Sequence, residues 1–268
     1  MKRKVLINVA PVAGSCKEII PEKIAEDVLA CRKAGAAMVH LHVRAKDGSL
    51  SPDPSLLKEI LKIIRRDSDI IIEVSTGGIS NMNIQERCAA VSIPEVECCS
   101  LNVGSTNLGD AAYVNIPKDV DYCISELLKY HKIPEVETFE IGHSFYMQQL
   151  MQKYALMRPV LFSIVLGHPG EAPATAKALQ AMVDFIPQDA LWGITHAHRK
   201  NFDLIAAALG MGASTVRVGF EDSNMLNADH SVETNAPLVE KTASLIKACD
   251  LEIMSPDEAR ALLHIGYR

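Results

Sequence analysis

The chain has 268 residues, 48% of them hydrophobic and only 5% aromatic, which suits one large α/β domain better than two small ones. A net charge of −6, with no run of basic residues, argues against DNA, RNA or an anionic membrane as partner and leaves small molecules as the expected ligands. No apolar stretch reaches the roughly 18–20 residues of a membrane span, and the N-terminal MKRKVLINVAPV, interrupted by Asn8 and Pro11, has no signal-peptide pattern, so a cytoplasmic protein is expected.

Short β-branched runs alternate with helical periodicity along the whole chain. KVLINVA leads into a helix over residues 24–34, MVHLHV into one over 56–66, and DIIIEVS into a weaker one over 84–91. EVECCSLN precedes a helix over 120–130, EVETFEI one over 145–155, and RPVLFSIVLG one over 175–185. ALWGIT and STVRVGF then precede helices over 202–209 and 238–248. About eight such pairs predict a (β/α)8 TIM barrel, one domain over residues 1–268. Near-continuous apolar strands fit a parallel sheet covered on both faces, and a doubly wound sheet is disfavoured because no GxGxxG follows the first strand. The last segment, SPDEARALLHI, has Ser255 as N-cap and Pro256 at the first helical position, and reads as a C-terminal helix packed on the barrel. The seven cysteines show no CxxC pair, as expected of reduced thiols.

Active sites of such barrels lie at the C-terminal strand ends, so polar residues there carry the most weight. HLHVR puts His40 and His42 on one face of the second strand by its two-residue period, and two imidazoles so placed fit adjacent corners of a zinc tetrahedron. Hydrogen bonding of both rings in a polar barrel mouth is the other reading. RVGFED at the eighth strand places Arg217, Gly219 and Glu221 on one face by the same alternation. The second and eighth strands flank the first, about 10 Å apart, so Glu221 could complete a His-His-Glu site with a position left open. STGG, ending strand three, brings Ser75 and Gly78 into a loop able to close on a carboxylate; Ser100 and Asn102 end strand four. Glu137, inside strand five, requires a partner or a ligand because an unpaired acid there is costly.

Taken in order, HLHVR, STGG, SLNVGSTNLGD, PEVE, VLGHPG and RVGFED resemble the strand ends of the β-keto acid cleavage enzymes, almost end to end. That resemblance implies a TIM barrel holding zinc or a similar divalent metal, with acetyl-CoA as co-substrate. It implies condensation with a β-keto acid to give acetoacetate and a new acyl-CoA, by a homo-oligomer, a tetramer in that family. It would make His40, His42 and Glu221 the metal ligands, Asp222 the general base and Arg217 its partner. Ser75, Gly78 and Ser100 would hold the β-keto acid.

The resemblance has departures. Ser15 stands in the loop after strand one where the aminohexanoate-cleaving members carry an acid that grips the substrate ammonium. WGITHAHRKN has His196 and His198 where small residues are expected, a second HxH that reads as substrate-binding or solvated histidines or as an additional metal site, while Arg199 matches the pattern. With His168 these groups predict a carboxylate or neutral polar substrate tail, contacted by Ser15 and Arg199. A metal-dependent hydrolase of the amidohydrolase type is the second reading, weakened by an HxH on the second strand instead of the first and by the lack of a strand-four lysine. A noncatalytic metal-dependent sensor is a third.

Overall fold

A computed structural model describes residues 2–266; the ends of the single-domain reading, residues 1, 267 and 268, lie outside the described residues. Eight parallel strands close into a barrel: β1 Lys4–Val9, β2 Met38–Leu41, β3 Ile71–Val74, β4 Cys98–Asn102, β5 Ile133–Thr138, β6 Leu161–Leu166, β7 Leu191–His196 and β8 Thr215–Val218. Each strand pairs with the next, and β8 closes on β1 with Asn8 opposite Arg217. The chain folds as a TIM barrel.

Outward residues of the strands, such as Val39, Leu41, Ile72, Val74, Val216 and Val218, pack under the helices in one continuous core. The helices are α1 Pro21–Ala34, α2 Ser55–Asp67, α3 Ile84–Arg87, α4 Pro117–Lys129, α5 Ile141–Lys153, α6 Ala176–Val183, α7 Asp203–Met211 and α8 Ala236–Ala248. In α2 the buried residues Leu57, Ile60, Leu61 and Ile64 follow the 3.6-residue period, and each full burial contributes about 1.5–3 kcal/mol.

Inward residues form a graded interior. Its floor is apolar: Leu6, Met38, Ile71, Cys98, Ile133 and Leu161 pack with Met254, Ala259 and Leu263. The last two belong to α9 Pro256–Leu263, which plugs the N-terminal end of the barrel and starts with a capping box between Ser255 and Glu258. Above this floor the interior turns polar, with Asn8, His40, Glu73, Ser100, Glu135, Ser163, Thr195 and Arg217 all buried.

Three pairings lie outside the expected pattern. Glu252–Ile253 adds to the edge of β1, and Met225–Asn227 pairs antiparallel with His230–Ser231. Thr106–Leu108 and Ala111–Tyr113 form a hairpin after β4, tied by Gly109 N–H to the Pro169 carbonyl (2.9 Å) in the loop after β6. α3 is four residues long, shorter than its periodic pattern, because the chain breaks into turns at Cys88. Among the described residues no helix is long and apolar enough to cross a membrane.

Candidate active site

At the C-terminal mouth, β2 presents His40 from its last turn of pleat, and His42 follows just beyond the strand. Both point inward, with ring centroids 5.2 Å apart. Glu221 meets them from across β1: its carboxylate lies 3.3 Å from His42 Nε2 and 3.7 Å from His40 Nε2. One ligand atom from each of the three lies within 4.8 Å of the others. Two imidazole nitrogens and one carboxylate oxygen are the donor set of a catalytic zinc site with a position left open. His40 Nδ1 faces Glu73 Oε2 at 3.2 Å, the outer carboxylate contact that orients a metal-binding imidazole. The residues present fit a divalent cation.

Glu221 arrives by a turn and not by the strand alternation that its spacing suggested. β8 ends at Val218, and Gly219 takes φ +141° where a Cβ would come within 2.2 Å of the Ala10 carbonyl oxygen. Asp222 N–H and Ser223 N–H both bond back to the Gly219 carbonyl, at 3.0 and 2.8 Å, and Glu221 N–H bonds to Ala10 O at 3.1 Å. Only glycine fits this close approach at positive φ. The tight turn sends Glu221 and the next residue, Asp222, into the mouth together.

Arg217 joins the acids. Its guanidinium donates to both oxygens of Asp222 (2.7 and 3.1 Å), to Glu137 (3.1 Å) and to Glu221 (3.4 Å). This is the partner that Glu137 required. Burial pushes the Asp222 carboxyl above its usual range, opposed by the adjacent Arg217 charge. For Glu221 burial is outweighed by His42, His40 and Arg217, which hold it well below the carboxylate range.

Ser75 and Ser100 face each other across β3 and β4, their Oγ atoms 3.4 Å apart. Thr76 N–H donates to Ser100 Oγ and Gly77 N–H to Ser75 Oγ, each at 3.1 Å, so the STGG loop is shaped by these hydroxyls. Asn102, also buried at the top of β4, has neither amide atom hydrogen-bonded within the protein. Its Nδ2 lies close to Gly77 of the cavity lining, and a buried amide without partners calls for a polar contact. A cavity of about 110 Å³ is lined by His42, Ser75, Gly78, Glu137, His168, Arg217 and Glu221 together with Gly77, Leu108, Tyr113, Phe139 and Val165.

A layer below, Glu73 and Glu135 form an acid pair that sequence reasoning passed over. Asn8 Nδ2 donates to both, at 2.7 and 3.4 Å. Burial pushes Glu73 up to about 7, and burial plus the Glu73 charge push Glu135 well above its usual value. His40, Glu73 and Glu135 make a second cluster of possible ligand atoms. The cost of an acid inside a strand, applied to Glu137, also applied to Glu73 in IIEV and would have found it.

Other expected contacts are not brought to this cavity. Ser15 is exposed in the turn before α1. Arg199 is fully buried elsewhere: its guanidinium donates to the Met225 carbonyl (2.6 Å) and the Ser223 carbonyl (3.5 Å), and it stacks on Phe202 at 4.0 Å. Thr195 points into the barrel to Ser163 (3.0 Å), so His196 is turned to the opposite face, beside Gly167. His198, at φ +55°, packs edge-on against His168, 5.4 Å between centroids.

A closed α/β barrel whose polar groups converge at the C-terminal mouth has the architecture of a barrel enzyme. Residues 14–265 match the family model described as beta-keto acid cleavage enzyme, and the chain belongs to that family. A 3-keto-5-aminohexanoate cleavage enzyme of Fusobacterium nucleatum is 33% identical over 91% of this chain and 89% of its own length. A 3-dehydrocarnitine:acetyl-CoA trimethylamine transferase of Rhizobium meliloti is 30% identical over 93% of this chain and 90% of its own. A 3-oxoadipate:acetyl-CoA acetyltransferase of Cupriavidus necator is 30% identical over 89% and 84%. Among solved structures, a ternary complex of ObcA with C4-CoA adduct and oxalate superimposes with a TM-score of 0.76 at 18% identity, over 92% of this chain and 67% of that one, and shares the fold.

Proposed function

We propose that this enzyme condenses a β-keto acid with acetyl-CoA and releases acetoacetate and the acyl-CoA of the remaining group. The convergence of His40, His42 and Glu221 beside the Arg217–Asp222 pair carries this reading. Family membership supports it over amidohydrolase chemistry, and acetyl-CoA in the names of relatives supports the co-substrate.

His40, His42 and Glu221 would hold a divalent cation, zinc by its donor set, which supplies Lewis-acid stabilisation of the negative charge that the substrate oxygens develop. Ser75, Ser100, the Gly78 loop and Asn102 bind the substrate carboxylate and keto group. Asp222, held side-on by Arg217, removes a proton from C2. The C2 carbanion forms a bond to the thioester carbonyl carbon of acetyl-CoA, and CoA thiolate leaves. The thiolate then adds to the original ketone carbon, the bond from that carbon to C2 breaks, and acetoacetate leaves after taking a proton back. Arg217 places its positive charge beside each oxyanion in turn. Free thiols at all seven cysteines suit a reducing cytoplasm, and the enzyme works there as a homo-oligomer in this reading.

The test is incubation of metal-loaded protein with acetyl-CoA and a panel of β-keto acids, with mass detection of both products. Acetoacetate and the matching acyl-CoA in equal amounts are expected. Hydrolysis of either substrate without acyl exchange would overturn the reading.

A further inference from the structure

The cavity beside the His-His-Glu cluster has both polar and apolar lining. Its polar lining comes from His42 after β2, Glu137 of β5, Arg217 of β8 and Glu221 in the turn after β8. Its apolar lining is Leu108, Tyr113, Phe139 and Val165, of which the last three pack as a separate apolar cluster with Leu108 against it. Leu108 and Tyr113 come from the hairpin after β4, Phe139 from the end of β5 and Val165 from β6, so three parts of the chain build this wall. The Tyr113 and Phe139 rings meet edge to face, 6.1 Å between centroids. Tyr113 keeps its hydroxyl against Gly77, where it accepts from Arg87 (3.4 Å).

Charge for a polar tail is already engaged. Arg217 is shared among Glu137, Glu221 and Asp222, and the Glu137 carboxylate accepts from it. His168, the second imidazole in the lining beside His42, is pushed down to about 4 by burial and by the His198 and Arg217 charges, and is neutral at pH 7. Glu171, in the loop after β6, is pushed up to about 8 by burial and by the nearby Glu140 and Glu137, and does not line the cavity. Arg199 and His196, which the sequence suggested as tail contacts, are turned away.

We infer that the group beyond the keto carbon of the substrate is short and apolar, and that Leu108, Tyr113, Phe139 and Val165 select it. This rests on the β-keto acid reading above and replaces the polar or anionic tail expected from the sequence. The relatives are named for different keto acids, so family membership leaves the tail open. An ammonium or carboxylate laid against the four apolar side chains loses its water without a partner, whereas a propyl or isopropyl group gains contact.

Calorimetric titration of the metal-loaded protein, without acetyl-CoA, with 3-oxohexanoate, 3-oxoadipate and 3-keto-5-aminohexanoate reads this directly. The apolar acid is expected to bind at least ~10-fold more tightly than either charged one, and Val165→Asp to abolish that preference. Equal or tighter binding of a charged acid, or no binding of 3-oxohexanoate, overturns the inference. Turnover of the same acids with acetyl-CoA separates the two readings. Tight 3-oxohexanoate binding without acyl exchange for any acid sinks the cleavage reaction and keeps the apolar ligand, while exchange that favours a charged acid sinks only the apolar tail.

Discussion

Arg217 grips Asp222 side-on, through Nε at 3.1 Å and Nη2 at 2.7 Å, and both residues are buried. The two-bond geometry fixes the carboxylate plane, which a single contact would leave free to rotate. Asp222→Asn keeps the shape and removes the proposed base. Turnover should fall by roughly 10²- to 10⁴-fold with metal content unchanged, measured by steady-state kinetics and elemental analysis of the same sample. Near-normal turnover would place the base elsewhere.

Replacement of Arg217 has a structural consequence as well. Arg217→Met leaves Glu137, Glu221 and Asp222 buried without their shared cation, at a cost on the order of 3–5 kcal/mol. Denaturant unfolding should register that loss. Arg217→Lys should recover only part of it, since an ammonium cannot bond both Asp222 oxygens in the planar fork.

Glu73 tests the orientation of His40. In Glu73→Gln the side chain keeps its size but loses the charge that faces His40 Nδ1. Metal affinity, measured by chelator competition, should weaken by about 10- to 100-fold. Unchanged affinity would make Glu73 a buried acid with no influence on the His-His-Glu cluster.

Gly219 controls where Glu221 and Asp222 go. Its φ of +141° and the 2.2 Å approach to Ala10 O leave no room for a methyl group. Gly219→Ala should destabilise the fold by about 1–3 kcal/mol, seen as a lower Tm, and reduce bound metal because the turn that delivers Glu221 must shift. A lower Tm with full metal content would show that the turn can relax without moving Glu221.

His196 gives a pH signature. Burial first, then the Arg199 and His198 charges, push its imidazole down to about 4 from an ordinary 6.5. The unfolded chain therefore binds a proton more readily between pH 6.5 and 4, so this group removes stability as the pH falls through that window. His196→Asn lacks the effect. The Tm of the variant relative to the original should rise steadily from pH 6.5 to 4; a constant difference would mean the imidazole is not depressed.

The alternation of short β-branched runs with helical periodicity is a local property of the chain, and it determined the strand count and the barrel, while the two-residue period in MVHLH, PEVET and TVRV determined the inward direction of His40, Glu137 and Arg217. Ser255 and Pro256 likewise marked the start of α9 within one helical turn. Alternation applied to GITH would also have turned His196 outward, opposite Thr195. Beyond the strand ends that rule lapses, and contacts distant in sequence decide. Glu221 reaches His42 across 179 residues because Gly219 turns against Ala10, and Arg217 meets Glu137 across 80 residues because the barrel closes. Arg199 is drawn to the Ser223 and Met225 carbonyls because buried guanidinium donors must be satisfied, a demand that only the folded loops reveal. The apolar lining of the cavity is decided the same way: Leu108, Tyr113, Phe139 and Val165 have no common spacing, and the hairpin that supplies the first two is held by Arg87 at Tyr113 and by a backbone hydrogen bond from Gly109 to Pro169, 60 residues apart in sequence.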